Sequence, residues 1–575
     1  MYYKLKTILS KNQLGLIYIF IFLSLITMAL ELIGLGLIVP FIKSLMSNGA
    51  DFAIVKFLNK FDLFPESQTE FVIIFITLIS AVYTVKTFYL TFFSYAQTKL
   101  VADFRVSLSN QIYNIYLNKS FKFHLNNNSS KLIRNIDEVS LVVSLIENII
   151  ITISELIVFT GISIFVIWYE PLGAVIIILF FSLFGYLFIN IVNMKVKNWG
   201  ELRQRYSGLR LKYLNEGFRL IKFAKILQKT KELNKIYTDN NKKLNLYEIK
   251  QIFTASLPKL WLEWLIVLAF TVVILVMISL EKDMQYILPI IVLFAAAGFR
   301  IMPSLLRIIN CLQKIIYNQP ALDIIFKEFE KNKNNLHLKK IDRPIISFEN
   351  KIKLKDIAFR YNESSEFIFK KIDLEIIQGE TIGIVGESGK GKTTLINIIL
   401  GLLKPTEGKI TVDKTDIFES LENWQKKIGY VSQDVFLTDD TIKKNIAFGF
   451  NEDEIDEKKI ELTLKKANLE EFIKNLDNGI NTKIGEFGDR ISGGQRQRIA
   501  IARALYNDPD ILILDEFTNS LDNTTEEKIV NEISNIKEKR TLIIIAHRFS
   551  TLKNCDHVYK LENKAIKKVS QLNEN

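Results

Sequence analysis

The chain has 575 residues, 49% of them hydrophobic, with 74 Lys and Arg against 62 Asp and Glu, for a formal net charge of +12. Its mean hydropathy of +0.18 excludes an ordinary soluble protein, and the length accommodates a membrane unit plus one globular domain. The basic balance comes without a recognition motif or an aromatic-interleaved basic stripe, so it does not indicate nucleic acid, and two cysteines with four scattered histidines exclude a disulfide framework and a structural zinc site.

Apolar stretches of membrane-spanning length run over residues 14–46, 71–93, 141–168, 172–192, 257–280 and 287–312. The first is too long for a signal-peptide core and lacks a small-residue cleavage site, so it is expected to be retained. Lys4, Lys6 and Lys11 precede it and put the N-terminus in the cytoplasm. The loops after the second and fourth spans carry Arg105, Lys119, Lys122, Arg134, Lys195, Arg203, Arg205 and Arg210, whereas the connections at 169–171 and 281–283 are tiny. Every long basic loop therefore reads as cytoplasmic. Residues 105–135 and 195–251 read as helical extensions of the spans that are candidates to transmit force, or else as solvated helix surface. The amphipathic segment 51–64 reads as an outer interfacial helix or a short packed loop.

Charge at membrane depth calls for a functional reading first. Arg300 and Arg307 are seven residues apart, about two turns, and share a face. Lys86, about 22 Å along the second span, and Lys259, at the inner start of the fifth, come out at a similar level. A dimer cavity ringed by these cations would favour an anionic head group such as a pyrophosphate, with apolar helices beside it for a lipid tail. The alternative is snorkelling to the interface, with Glu31, Glu147, Glu155 and Glu263 as partners.

The polar, Lys/Asn-rich stretch at 328–343 marks a linker and divides the chain into a transmembrane domain (1–330), a linker (331–344) and a nucleotide-binding domain (345–575). In the last, strand and helix patterns alternate, predicting an α/β P-loop core with an antiparallel β lobe near 345–377 and a helical insert near 454–476. Gly386-Glu387-Ser388-Gly389-Lys390-Gly391-Lys392-Thr393 fits G-x-x-x-x-G-K-[ST] between the apolar strand 381–385 and a helical run. Glycines turn backbone N–H groups toward phosphates, Lys392 reaches the β/γ-phosphates of ATP, and Thr393 can hold Mg²⁺. The strand Ile511-Leu512-Ile513-Leu514 ends in Asp515, read as a Mg²⁺ ligand through water, and Glu516, read as polarising the attacking water. Ser492-Gly493-Gly494-Gln495 opens a helix and forms a second anion-binding N-terminus. One ATP does not need two cradles, so the second is read as serving the ATP of a partner copy.

These motifs, in this order, resemble the ATP-binding cassette superfamily over residues 348–562 and into the membrane part. Ile491 stands where leucine is usual, Thr394 where serine is common and Leu521 where alanine is common. The resemblance implies that Tyr361 stacks on adenine, that Gln433 senses Mg²⁺ and the membrane domain, and that Ser520-Leu521-Asp522 is the D-loop. It further implies that residues 482–488 contact coupling helices, candidates for which lie at 118–128 and 215–221, and that His547 is the switch histidine on the γ-phosphate. The segments 31–42, 299–310 and 321–326 are similar to the bacterial lipid-linked oligosaccharide flippases of protein N-glycosylation.

The expectation is a multidomain protein in which an all-α six-helix transmembrane domain is followed by an α/β P-loop ATPase domain. It would act as a homodimer in the bacterial inner membrane, its ATPase in the cytoplasm, using ATP and Mg²⁺ to move a polyprenyl-pyrophosphate glycan to the outer leaflet. The ATP site is assigned to Tyr361, Gly386 to Thr394, Gln433, Ser492 to Gln495, Asp515, Glu516, Asp522 and His547. The substrate site is assigned to Lys86, Lys259, Arg300 and Arg307. The alternatives are an exporter of another lipid, a drug or a peptide and, in a different class, an ATP-gated channel or regulatory membrane ATPase.

Overall fold

The computed structural model describes residues 1–37, 68–281, 284–333, 344–387, 389–517, 540–546 and 552–569. The amphipathic segment 51–64 and most of the linker lie outside them. The chain divides into two units, Met1–Lys119 with His124–His337, and Ser120–Phe123 with Leu338–Asn575.

The described residues up to Lys333 form α1 (Tyr2–Ile8), α2 (Lys11–Gly36), α3 (Gln68–Leu117), α4 (Phe121–Asn126), α5 (Ser129–Tyr169), α6 (Pro171–Arg219), α7 (Ile221–Ile226), α8 (Thr230–Ser279) and α9 (Met284–Lys333), all within the first unit except the start of α4, which falls in Ser120–Phe123 of the second. Of these, α2, α3, α5, α6, α8 and α9 are long and apolar enough to cross a membrane, so the chain is a multi-pass membrane protein. Local chemistry sets their starts. Ser10 and Gln13 exchange reciprocal side-chain bonds at the head of α2, and Asn128 caps α5. Pro171 opens α6, where its missing N–H leaves no intrahelical bond unmade. Helices α3 and α8 are each 50 residues, about 75 Å by helical rise, against an apolar bilayer core of about 30 Å. They run on past the membrane as the expected extensions.

One boundary differs from expectation. The second short helix, α7, occupies Ile221–Ile226 rather than 215–221, because Asn215 to Arg219 continue α6 and the turn falls at Leu220. The last turn of α6 is completed by Leu220 N–H donating to Glu216 O at 2.9 Å, and no proline interrupts it. Within the unit α5 packs against α9 and α2, and α6 against α8. Val158, Ile162, Phe181, Leu262, Phe294 and Leu305 lie in their shared core. Gly161 lets α2 and α5 approach closely there: a Cβ would stand 2.5 Å from the Met28 side chain of α2, which would have to move aside.

The second unit holds two sheets. One, antiparallel, has the order β2-β1-β4-β5 (β1 Lys351–Phe359, β2 Phe369–Ile377, β4 Glu407–Val412, β5 Thr415–Asp416). The other has the order β10-β9-β3-β8-β7-β6 (β3 Thr381–Val385, β6 Ile428–Val431, β7 Ile511–Asp515, β8 Thr541–Ile545, β9 His557–Glu562, β10 Ala565–Val569), parallel except for β10. The β lobe thus extends beyond 345–377 by recruiting β4, a long-range pairing to β1 that local pattern does not report, and with it β5, joined to β4 by a tight hairpin. Every residue of β3, β7 and β8 is buried, as continuous apolar runs in a parallel sheet require. Among the described residues of this unit the other α-helices are α10 (Lys392–Ile399), α11 (Leu421–Gln425), α12 (Ile442–Ile446), α13 (Glu457–Lys466), α14 (Glu470–Lys474) and α15 (Gly493–Leu505). Of these, α13 and α14 make up the expected insert.

Candidate functional site

In the second unit, β3 runs into Gly386–Gly391 and then into α10, while β7 ends at Asp515, with β8 between the two strands. The register sets Ile384 and Asp515 against the same residue of β8, Ile545, so the P-loop and the two carboxylates emerge at one level at the carboxyl edge. Gly391 has φ +100°, and a Cβ there would lie 2.6 Å from Ile368, so only glycine fits the turn into α10.

Lys392 is buried, and its ammonium donates to Gly386 O at 2.6 Å and lies 3.9 Å from Glu516. Burial holds its pKa below the usual lysine range, against the opposing pull of Glu516 and Asp515. Glu516 adopts φ +48°, a left-handed conformation costing about 1–2 kcal/mol for a residue with a side chain, and its N–H donates to Ile545 O at 3.0 Å. Gln433, two residues past β6, donates from Nε2 to Glu516 Oε2 at 2.5 Å. The Tyr430 hydroxyl donates to Asp515 Oδ2 at 3.4 Å, and burial, reinforced by the Asp515 charge, pushes the phenol's pKa up.

Lys392, Gln433, Asp515 and Glu516 are thus brought together. Lys390 pairs with Glu387 at 3.3 Å within the loop. Tyr361 lies with its edge on Phe359 and its hydroxyl 3.1 Å from Thr394 Oγ1, beside the helix that the P-loop opens. Ser492 and Gln495 form a capping box at the head of α15, which fixes the turn and presents Gly493 and Gly494 at a helix N-terminus. Ser388, Asp522 and His547 lie outside the described residues. Sequence reading missed Tyr430; its place three residues before Gln433, on a strand beside β7, is the only signal, and it needs the sheet order to be read.

In the first unit the four expected cations do not form one ring. Lys86 Nζ lies 2.8 Å from Glu31, Arg300 lies 2.8 Å from Glu31 and 3.9 Å from Glu155, and Arg307 lies 2.6 Å from Glu155. The Ser304 hydroxyl donates to Glu155 at 2.6 Å. Three cations from α3 and α9 are clamped by two buried carboxylates from α2 and α5, because an unpaired charge at that depth costs several kcal/mol by insertion scales, about 3. Lys259 corrects the expectation: it is exposed on α8 and, among the described residues, makes no ion pair with the cluster. Arg307 keeps 58% of its side chain exposed, against 19% for Arg300 and 13% for Lys86, and is the cluster's accessible charge.

Comparison with known proteins agrees with both halves. Residues 369–519 match the family model described as ABC transporter, and residues 16–299 the one described as ABC transporter transmembrane region. The chain belongs to the ABC transporters, matched over both its transmembrane region and its cassette. It is 34% identical over 390 residues to an ATP-dependent lipid A-core flippase of Francisella tularensis, covering 65% of this chain and 62% of that protein. It is 43% identical over 209 residues to one from Cupriavidus pinatubonensis (36% and 35%), and 40% identical over 258 residues to ABC transporter B family member 29, chloroplastic, of Arabidopsis thaliana (44% and 40%). The chain spans between 35% and 62% of the length of these curated relatives. A solved structure of a bacterial Atm1-family ABC exporter with ATP bound shares the fold, with a TM-score of 0.78 at 20% identity over 97% of this chain and 94% of that chain.

Proposed function

We propose that two copies of this chain form an ATP-driven flippase for an anionic glycolipid in a bacterial inner membrane, with the N-terminus and ATPase in the cytoplasm. Lys392 and the P-loop amides bind the phosphates, and Tyr361 supports the adenine. Glu516, on its left-handed residue and hydrogen-bonded by Gln433, takes the proton of the attacking water. Thr393, Gln433 and Asp515 offer a hydroxyl, an amide carbonyl and a carboxylate, an all-oxygen donor set that fits Mg²⁺. When bound, that ion neutralises charge on the phosphates. Ser492, Gly493 and Gly494 complete the site of the other copy, together with Asp522, and His547 approaches the γ-phosphate.

The observation that carries the lipid reading is the cluster of Lys86, Arg300 and Arg307 on Glu31 and Glu155, which has one more cation than carboxylates, with Arg307 accessible. A surplus guanidinium beside apolar helices suits a phosphate whose tail stays in lipid. The finer reading is a polyprenyl-pyrophosphate glycan, supported by the resemblance of 31–42, 299–310 and 321–326. A second reading, a phosphorylated glycolipid of the lipid A-core kind, is favoured by the names of the flippase relatives. Leaflet-resolved flipping in proteoliposomes decides between them. Pyrophosphate-linked glycans should cross with ATP, whereas neutral phospholipids and dyes should not. Preference for lipid A-type substrates would favour the second reading, and conductance without substrate-dependent turnover would replace both with a channel.

A further inference from the structure

Behind Gln433 the chain is tied to α15 by one guanidinium. Arg503, in the last turn of α15, donates from Nη1 to Phe436 O at 2.7 Å, from Nε to Asn445 O at 2.7 Å and from Nη2 to Asn445 Oδ1 at 2.9 Å, and it lies 5.2 Å from the centre of the Phe448 ring. Asn445 is fully buried in α12. Its amide donates to Thr438 O at 3.0 Å and Thr441 O at 3.1 Å, while its Oδ1 also accepts from Thr438 N at 2.9 Å. The same segment holds residues 482–484: Ile442 N–H donates to Thr482 O at 3.1 Å and Ile484 N–H to Asp440 O at 3.3 Å.

The consequence is mechanical. Phe436 is three residues from Gln433, which holds Glu516 at 2.5 Å. Arg503 and Ser492 are at opposite ends of one helix, about 16 Å apart by helical rise. A rigid helix gripped at one end by the Gln433 loop moves its other end with that loop. One hydrogen bond from each of Nε, Nη1 and Nη2 goes to this one segment, so the grip is specific to it.

We propose that the Arg503–Asn445 knot couples the two nucleotide sites of the dimer: it makes the Ser492-Gly493-Gly494 turn, offered to the other copy, follow the residue that holds Glu516 in its own copy. Arg503 and Asn445 are positioning residues and touch no nucleotide. The inference rests on the dimeric ATPase reading above.

The test uses the full-length protein. Wild type should turn over ATP with a Hill coefficient near two, the number of sites. Arg503→Lys and Asn445→Ala should bring it to about one and lower kcat about tenfold, while nucleotide Kd stays within about twofold, with Arg503→Lys the milder. Equal cooperativity in wild type and both variants overturns this inference alone. A monomeric wild type with a Hill coefficient of one overturns the dimeric reading itself. Should either variant fail to fold, amide exchange on Glu516→Gln protein serves instead. Added ATP should slow exchange at 436–445 and 492–498 together, and a response at 492–498 without 436–445 overturns the coupling.

Discussion

Gln433 Nε2 stands 2.5 Å from Glu516 Oε2, so the residue that follows β6 grips the carboxylate that follows β7, across the two neighbouring strands at the edge of the sheet. The amide nitrogen faces Glu516, which leaves the carbonyl end of Gln433 as its acceptor. In the proposed mechanism one end of this side chain therefore serves the base and the other the cation site.

Glu516→Gln keeps the shape of that contact and removes the base. Turnover measured by phosphate release should fall by about 10²–10⁴-fold, while nucleotide binding persists. Wild-type turnover in the variant would remove Glu516 from the role.

Tyr430→Phe deletes the hydroxyl that donates to Asp515. A hydrogen bond of this kind is worth about 0.5–1.5 kcal/mol, so the Mg²⁺ concentration for half-maximal ATPase should rise by roughly 2–10-fold with little change in kcat at saturation. An unchanged Mg²⁺ titration would show that Asp515 needs no such partner.

In the membrane cluster, removing a carboxylate and removing a cation should differ. Glu155→Gln removes the anion that Arg300 and Arg307 share, but Arg300 keeps Glu31 at 2.8 Å and Arg307 reaches solvent, so detergent-solubilised protein should melt lower, though by less than the loss of a fully buried pair would cause. Arg300→Ala with Arg307→Ala should impair flipping more than basal ATPase. Unchanged flipping would dismiss the cluster as a substrate contact.

Asp413 gives a pH dependence. Burial alone would raise its pKa, but backbone N–H donation from Glu349, Asn350 and Lys351 at 2.8–3.0 Å outweighs that and holds it below the usual carboxylate range. A depressed folded pKa means the unfolded chain binds the proton more readily. The contribution is therefore complete above the unfolded value, about 3.9, and is lost as pH falls through the folded one. Asp413→Asn should lower stability at neutral pH and flatten its fall in acid. A variant with the wild-type acid profile would contradict this.

Much of the molecule was legible because its signals are local. Six apolar runs, the alternation of strand and helix, and Gly386 to Thr393 between a buried strand and a helix each carry their meaning within a few turns of chain. The order β10-β9-β3-β8-β7-β6 was not legible, and with it went Tyr430 against Asp515, the strand β4 against β1 in the lobe, and Arg503 against Asn445. Those pairings join residues dozens of positions apart, and periodicity holds no information about which strand lies beside which.

The membrane charges divide the same way. Sequence alone put Lys86, Arg300 and Arg307 at a similar level along their spans, since helical rise from the span ends gives that, and offered Glu31 and Glu155 as partners. Only the tertiary structure decided that Glu31 and Glu155 are shared among three cations while Lys259 stays apart, because pairing depends on which helix faces turn toward each other, and packing sets those rotations.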